Sequence, residues 1–378
     1  MQRWLCAACV AVLLVPVLPV QGMGVQPGAG TDTVEIRVAV YTSVIEDYAA
    51  EVERALDYAW VDGGTRYVIT SSVIGRGQVL GRDTPALHTG SFDVLVIPGS
   101  GRPYVDAADP RWRDAVRGFV ADGGGYVGIC GGANLASMGF RERWNVNALL
   151  NVSTLGIANV YVNDQQLEEW QYLWKANWEM GMPPVDVRVV ASDNPIFAGW
   201  YGERRSMRYG GGPGMIPAGV QCSECGPVVP LAVYAEEPME VAPLHFWRWR
   251  GGWEMAANVT TDVEGEYAAA ASTYGEGRVA LFGPHPEKPT WFGGHVEEFP
   301  VRPRLGPFTW FIYNWSDGVL SSPSYNWWML RRAVAWAADG VMPPVSAASR
   351  GWLSVHGRVV LPLPSGVAVG CARQGRER

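Results

Sequence analysis

Charge is scarce in this chain. Of its 378 residues only 18% are charged, and 37 acids against 30 bases leave a net charge of −7. No run of Lys or Arg stands out, so the electrostatic footprint of a nucleic-acid binder is missing. Cysteine is scarcer still, at six residues, too few for a disulfide scaffold. After the first twenty residues no apolar stretch is long enough to cross a bilayer, because Gly, Pro or a charge interrupts each one within a few positions. What is plentiful is apolar side chain, at 48%, together with 46 Gly, 27 Pro and 18 Trp. That mixture excludes disorder, collagen and coiled coil. The length allows two or three domains of about 150 residues, or one enlarged α/β domain of about 300.

The N-terminus speaks for the compartment. Arg3 precedes an almost unbroken apolar run from Trp4 to Val20, and Val20-Gln-Gly22 supplies the small residues of a secretory cleavage site. Residues 1–22 therefore read as a signal peptide, and the mature chain is expected to be secreted or extracytoplasmic. An uncleaved signal anchor is the alternative, since the run is near the lower limit of a membrane span. Cys9 sits too early in the run for lipid attachment. Without the leader, Cys130, Cys222, Cys225 and Cys371 remain. Cys222-Ser-Glu-Cys225 has the spacing of a redox pair or half a zinc site, but no partner pair accompanies it. A local loop disulfide is the expected state. Asn151, Asn258 and Asn314 each begin a glycosylation sequon.

The rest of the chain alternates β and α patterns. Val34 to Tyr41 is β-rich, and Ile45 to Trp60 then takes helical spacing, with Tyr48, Val52, Leu56 and Ala59 on one face. Further strands are expected at Arg66 to Val73, Phe92 to Ile97 and Gly125 to Ile129, with a helix over Pro110 to Ala121. Such alternation implies a mostly parallel sheet with helices on both faces. Its ligands belong at the carboxyl ends of the strands, where Pro98-Gly-Ser-Gly101 and Cys130-Gly-Gly132 both fall. From about 140 to 225 the pattern loosens into an irregular, Trp-rich insertion. Trp170, Trp174 and Trp178 share one face of an expected helix over Asp164 to Glu179, which is read as core rather than as a sugar-stacking or membrane-facing surface. Strands resume at Val228 to Ala235 and in a hairpin from Tyr267 to Phe282, and a last helix spans Tyr325 to Ala338. The domain thus covers residues 34–340. Residues 341–378 form a tail expected to be poorly ordered.

Gly128-Ile-Cys130-Gly-Gly132 places a nucleophile between glycines, after a strand and before a helix, which is the arrangement of a nucleophile elbow. The sharp turn leaves little room for a Cβ beside the cysteine. Such a nucleophile needs a base. Among the five histidines His285 stands out, in Gly283-Pro-His-Pro-Glu287 directly after an expected strand, with Glu287 two residues on. In extended chain, residues i and i+2 face the same side, so Glu287 can orient the imidazole. His245 and His295 are the reserve candidates. As a Pro-rich loop at a sheet edge, the His285–Glu287 run is expected to tolerate substitution with little loss of stability.

Three stretches together resemble the class I glutamine amidotransferase-like superfamily: Phe92 to Gly101, Gly124 to Ala133 and Gly277 to Glu287. Within it the biotin-protein ligase N-terminal-like domain is the nearest match, through Tyr209-Gly-Gly-Gly-Pro213 and Val229 to Tyr234. The resemblance implies a flavodoxin-like α/β fold with Cys130 as nucleophile, His285 as base and Glu287 as third member. It implies oxyanion donors at Gly131 and in the Gly99-Ser100 loop, and substrate contacts at Asn134, Tyr209 and Gly211. Glutamine-hydrolysing members carry Gln where this chain has Asn134. No metal or cofactor is implied. The leading expectation is an exported cysteine-nucleophile hydrolase or acyl-transfer enzyme acting on an amide or ester of a small molecule or peptide. The rival, of another class, is a non-catalytic binding or scaffolding module recognising a glycan, peptide or protein partner.

Overall fold

The computed structural model describes residues 32–43, 48–99, 103–140, 150–163, 182–243, 245–249, 251, 253–258, 260–301 and 310–345. Residues 1–22, the Trp170, Trp174 and Trp178 stripe, Ser100 and most of the 341–378 tail lie outside them. Among the described residues, no helix is long and apolar enough to cross a membrane.

The first half of the chain builds an α/β layer. In order it contains β1 (Thr33–Tyr41), α1 (Ala49–Leu56), β2 (Tyr58–Asp62), β3 (Thr65–Ile74), α2 (Arg76–Val79), β4 (Val94–Ile97), α3 (Pro103–Ala107), α4 (Pro110–Ala121), β5 (Gly125–Ile129) and α5 (Gly131–Ala136). β4 and β5 are buried at every position, as strands covered on both faces must be. α4 starts where its sequence says it should: Asp109 caps it by accepting from Arg111 N at 3.0 Å, and Pro110 fills the first turn.

The second half adds β6 (Val160–Val162), β7 (Pro184–Val189), β8 (Arg204–Arg208), β9 (Met215–Pro217), β10 (Val229–Tyr234), α6 (Pro238–Val241), β11 (His245–Trp249) and β12 (Trp253–Asn258). It continues with β13 (Tyr267–Tyr274), β14 (Gly277–Phe282), β15 (Trp291–Phe292), β16 (His295–Val301), β17 (Trp310–Ser316), β18 (Val319–Leu320) and α7 (Trp327–Ala337). The main sheet has the order β2-β3-β1-β4-β5-β14-β13-β10-β7-β8, with β9 on β13 and β6 on β9. β3, β1, β4, β5 and β14 are mutually parallel, and every pairing outside that core is antiparallel. α1 and α7 cover one face, burying Val52, Leu56, Leu330 and Val334. α4 and α5 cover the other, with Trp112, Val116, Phe119 and Leu135.

Two expectations need correction. The helix expected from Ile45 to Trp60 stops at Leu56, and Tyr58–Asp62 turns back through Gly63-Gly64 as an edge strand on β3. Ala59, assigned to the helical face, sits on that strand. Trp60 stacks on Tyr67 at 5.3 Å, and such a cross-strand aromatic pair outweighs the continuing helical period. Next, the described part of the 140–225 insertion is not irregular: β6 to β9 all join the main sheet. Gly75-Arg-Gly77 starts the short helix α2, whose Arg76 pairs with Asp106 and Asp109. Cys222 and Cys225 are disulfide-bonded as expected. The Asn151 amide is already engaged, donating to Phe140 O at 3.2 Å while its oxygen accepts from Phe140 N at 2.7 Å.

Trp112 is fully buried and meets Tyr41 edge-on at 5.2 Å between centroids. Trp112→Ala is expected to cost about 3 to 5 kcal/mol in urea denaturation, the range for deleting a large buried aromatic. A loss under about 1 kcal/mol would show that α4 does not anchor this face.

Candidate active site

Two neighbouring parallel strands deliver Cys130 and His285 to one edge of the sheet. Ile129 of β5 is in register with Phe282 of β14, so the chain leaves both strands at the same level of the sheet edge. Cys130 follows the first directly, with its backbone N donating to Phe282 O at 2.7 Å, and His285 follows the second three residues on. Cys130 adopts φ 50° and ψ −108°, a left-handed conformation that costs a non-glycine residue energy and must be held by its surroundings. Gly132 shows how tightly it is held. A Cβ there would lie 2.1 Å from Ile97 O, so only glycine lets α5 start this close to β4.

His285 is 2% exposed and Glu287 5%, and Nδ1 of the ring meets Glu287 Oε1 at 2.6 Å. The i, i+2 geometry therefore brings the carboxylate onto the imidazole. The backbone N of His285 donates to Arg208 O at 2.8 Å, tying this loop to β8. Two glycines clasp the ring: a Cβ on Gly99 would come within 2.4 Å of His285 Cε1 and 3.0 Å of Cys130 Cβ, and one on Gly210 within 3.0 Å of His285 Nε2. Cys130 and His285 thus face each other across Gly99. Nε2 has no hydrogen-bond partner among the described residues. The Cys130 sulfur lies 3.9 Å from Gly210 O. The expectation of a tolerant, Pro-rich surface loop is overturned, because both titratable groups are interior.

The remaining expected site residues are less uniform. Gly131 is buried at the start of α5, next to Cys130. Asn134 is fully buried, and neither its side-chain oxygen nor its nitrogen has a hydrogen-bond partner among the described residues. Tyr209 is fully buried and packs edge-on against Tyr234 at 5.9 Å, while Gly211 sits at φ 77° in the same glycine-rich loop. His295 is not brought to Cys130. It lies exposed, 3.6 Å from Glu297 and 3.9 Å from Asp317. Of His245 only the strand position, β11, is described. Arg208 and Gly210 were missed in the sequence, although the Gly210-Gly-Gly212 run after Tyr209 was a signal of close backbone approach.

The electrostatics couple the pair. Burial opposes a charge on His285, but the facing Glu287 and Cys130 outweigh it and raise the imidazole to about 9. Burial likewise disfavours the Glu287 carboxylate, yet His285 and then Lys288 hold it below the ordinary glutamate range. Since the folded value of His285 exceeds its ordinary 6.5, its stabilising contribution is complete below about pH 6.5 and is lost as pH rises through about 9. An NMR titration of the ring should show it protonated at pH 7.5, and Glu287→Gln should lower its midpoint. A midpoint near 6.5 in the unaltered protein would contradict the coupling.

A family model described as biotin-protein ligase, N terminal, matches residues 84–297. No curated protein matches the chain. Among solved structures, a glutamine amidotransferase is 15% identical over 66% of this chain and 90% of its own, with a TM-score of 0.36. A ThuA-like protein from Bacteroides uniformis ATCC 8492 is 13% identical over 68% of this chain and 86% of its own, with a TM-score of 0.32. A β-galactosidase from Rahnella sp. R3 is 14% identical over 67% of this chain and 29% of its own, with a TM-score of 0.34. The family model covers more than half of the chain and contains the Cys130 elbow, the glycine-rich loop and the His285–Glu287 run, so the chain belongs to the biotin-protein ligase N-terminal family.

Proposed function

We propose that this protein is an exported hydrolase or acyl-transfer enzyme in which Cys130 is the nucleophile, His285 the proton carrier and Glu287 the group that orients it. One observation carries the reading: a cysteine held left-handed at a strand-to-helix turn faces a buried imidazole whose other nitrogen is fixed by a carboxylate at 2.6 Å. That is the division of labour a nucleophilic triad requires.

With Nδ1 engaged by Glu287, Nε2 is the nitrogen free to exchange a proton. In the proposed cycle the Cys130 sulfur bonds to the carbonyl carbon of an amide or ester, and the thiol proton resides on Nε2. The carbonyl electron pair moves to oxygen, which the amides of Gly131 and of the Gly99-Ser100 loop receive. As the pair returns, the bond to the leaving amine or alcohol breaks and His285 hands over its proton. Water then attacks the thioester, giving a proton back to His285. The carboxylic acid departs, and the proton returns to the sulfur. An acyl acceptor in place of water makes the same cycle a transfer. Export is supported by the apolar run and small-residue site in residues 1–22.

Labelling with iodoacetamide at neutral pH tests the triad. Wild-type Cys130 should react quickly and Cys130→Ser should abolish labelling there. Glu287→Gln should slow it by about tenfold or more through a misoriented ring, and His285→Ala further. Because the pair is buried, Glu287→Gln should also cost about 1 to 3 kcal/mol. Inert Cys130 in a folded wild-type protein would favour a binding module instead.

A further inference from the structure

Arg208 closes β8 and lies inside the protein, 3% exposed. An arginine is rarely buried so fully, because removing its charge from water is costly unless its donors are engaged. Backbone and side chain both meet the triad loop. The backbone O of Arg208 accepts from His285 N at 2.8 Å, in an isolated antiparallel bridge between the two residues. The guanidinium reaches the far end of the same loop, where Nη1 donates to Pro289 O at 3.1 Å, and its Nε donates to Met182 O at 2.6 Å in the chain entering β7. Its head stands over the Trp291 ring, 5.3 Å from the centroid. Pro286 and Pro289 carry no N–H, so the segment between His285 and Pro289 has few donors with which to fasten itself. Two positions past Arg208, Gly210 comes against the ring as well: a Cβ there would lie 3.0 Å from His285 Nε2, and its O is 3.9 Å from the Cys130 sulfur. The stretch 208–210 thus borders the start of the loop, its end and the Nε2 edge of the imidazole. Burial draws the guanidinium down to about 10, with Glu51 opposing, so it stays charged at neutral pH.

We infer that Arg208 is a positioning residue, whose guanidinium fork fastens the His285–Pro289 loop and so holds the imidazole in register with Cys130 and Glu287. This rests on the triad reading above, since a held ring matters only if Cys130 uses it. A planar head with donors in fixed directions grips two carbonyls at once, which a single ammonium matches poorly. A displacement of about 1 Å in a group that exchanges protons can cost about a hundredfold in rate.

Arg208→Met keeps an unbranched apolar stem and removes the fork. Alkylation of Cys130 by iodoacetamide at neutral pH should slow by about fivefold or more, whereas in a His285→Ala background the same substitution should change the rate by less than about twofold, because its effect passes through the ring. An NMR titration adds a sign. Removing a cation would by its field alone raise the His285 midpoint, but a loosened contact with Glu287 lowers it, so the midpoint should fall from about 9 toward 6.5. Arg208→Lys, with the charge but not the fork, should move both readings in the same direction by less, and it decides the matter if Arg208→Met does not fold. An unchanged rate and midpoint beside a slowed His285→Ala would overturn this role and leave the triad intact. So would equal slowing with and without His285, a raised midpoint, or failure of both variants to fold, which makes Arg208 structural. If His285→Ala itself is alkylated at the wild-type rate, the triad reading fails and the positioning role falls with it.

Discussion

The structure turns on the backbone of one residue. Cys130 holds a left-handed conformation at the end of β5, a state worth about 1 to 3 kcal/mol of strain that persists only where neighbours over-determine it. Here they do. β5 is locked between β4 and β14, the Cys130 amide is bonded to Phe282 O, and Gly132 leaves no gap to Ile97 O. Tyr126 fastens the start of α5 through Gly132 O. Because β14 lies beside β5, the loop that follows it must pass the same edge, and His285 arrives there with its orienting carboxylate. The site is thus a product of strand adjacency more than of any local sequence.

Much of this was legible from residues alone, for physical reasons. Strands buried on both faces read as apolar runs, so β4 and β5 announced themselves, as did the helical pattern of α4 over Pro110 to Ala121. The elbow was readable because glycines at 128 and 132 around a cysteine have few other uses, and the Cys222–Cys225 bond because nothing else near it offered metal ligands. β2 was hidden because Ala59 continues the helical spacing of Tyr48, Val52 and Leu56 until Gly63-Gly64 reverses the chain. β6 to β9 are short and pair with partners distant in sequence, so no local period exposes them. The burial of Glu287 was equally invisible. A Pro-rich segment looks like surface, and only the approach of β8 and of Trp327, which donates to Glu287 O at 2.8 Å, makes it interior.

Burial changes the character of the chemistry. An imidazole and a carboxylate removed from water interact far more strongly than at a surface, and each becomes costly if its partner is lost. The same enclosure leaves Cys130 only 7% exposed, between the Gly99 loop and Gly210.

The central claim is that Cys130 forms a covalent acyl intermediate, and rapid-quench mass spectrometry of the intact protein mixed with an activated acyl ester tests it most directly. The account predicts a single added acyl mass that peptide mapping places on Cys130, that accumulates within the first turnover, and that decays as acid is released. An unchanged protein mass, or an acyl group found on a lysine amine while Cys130 stays free, would contradict it.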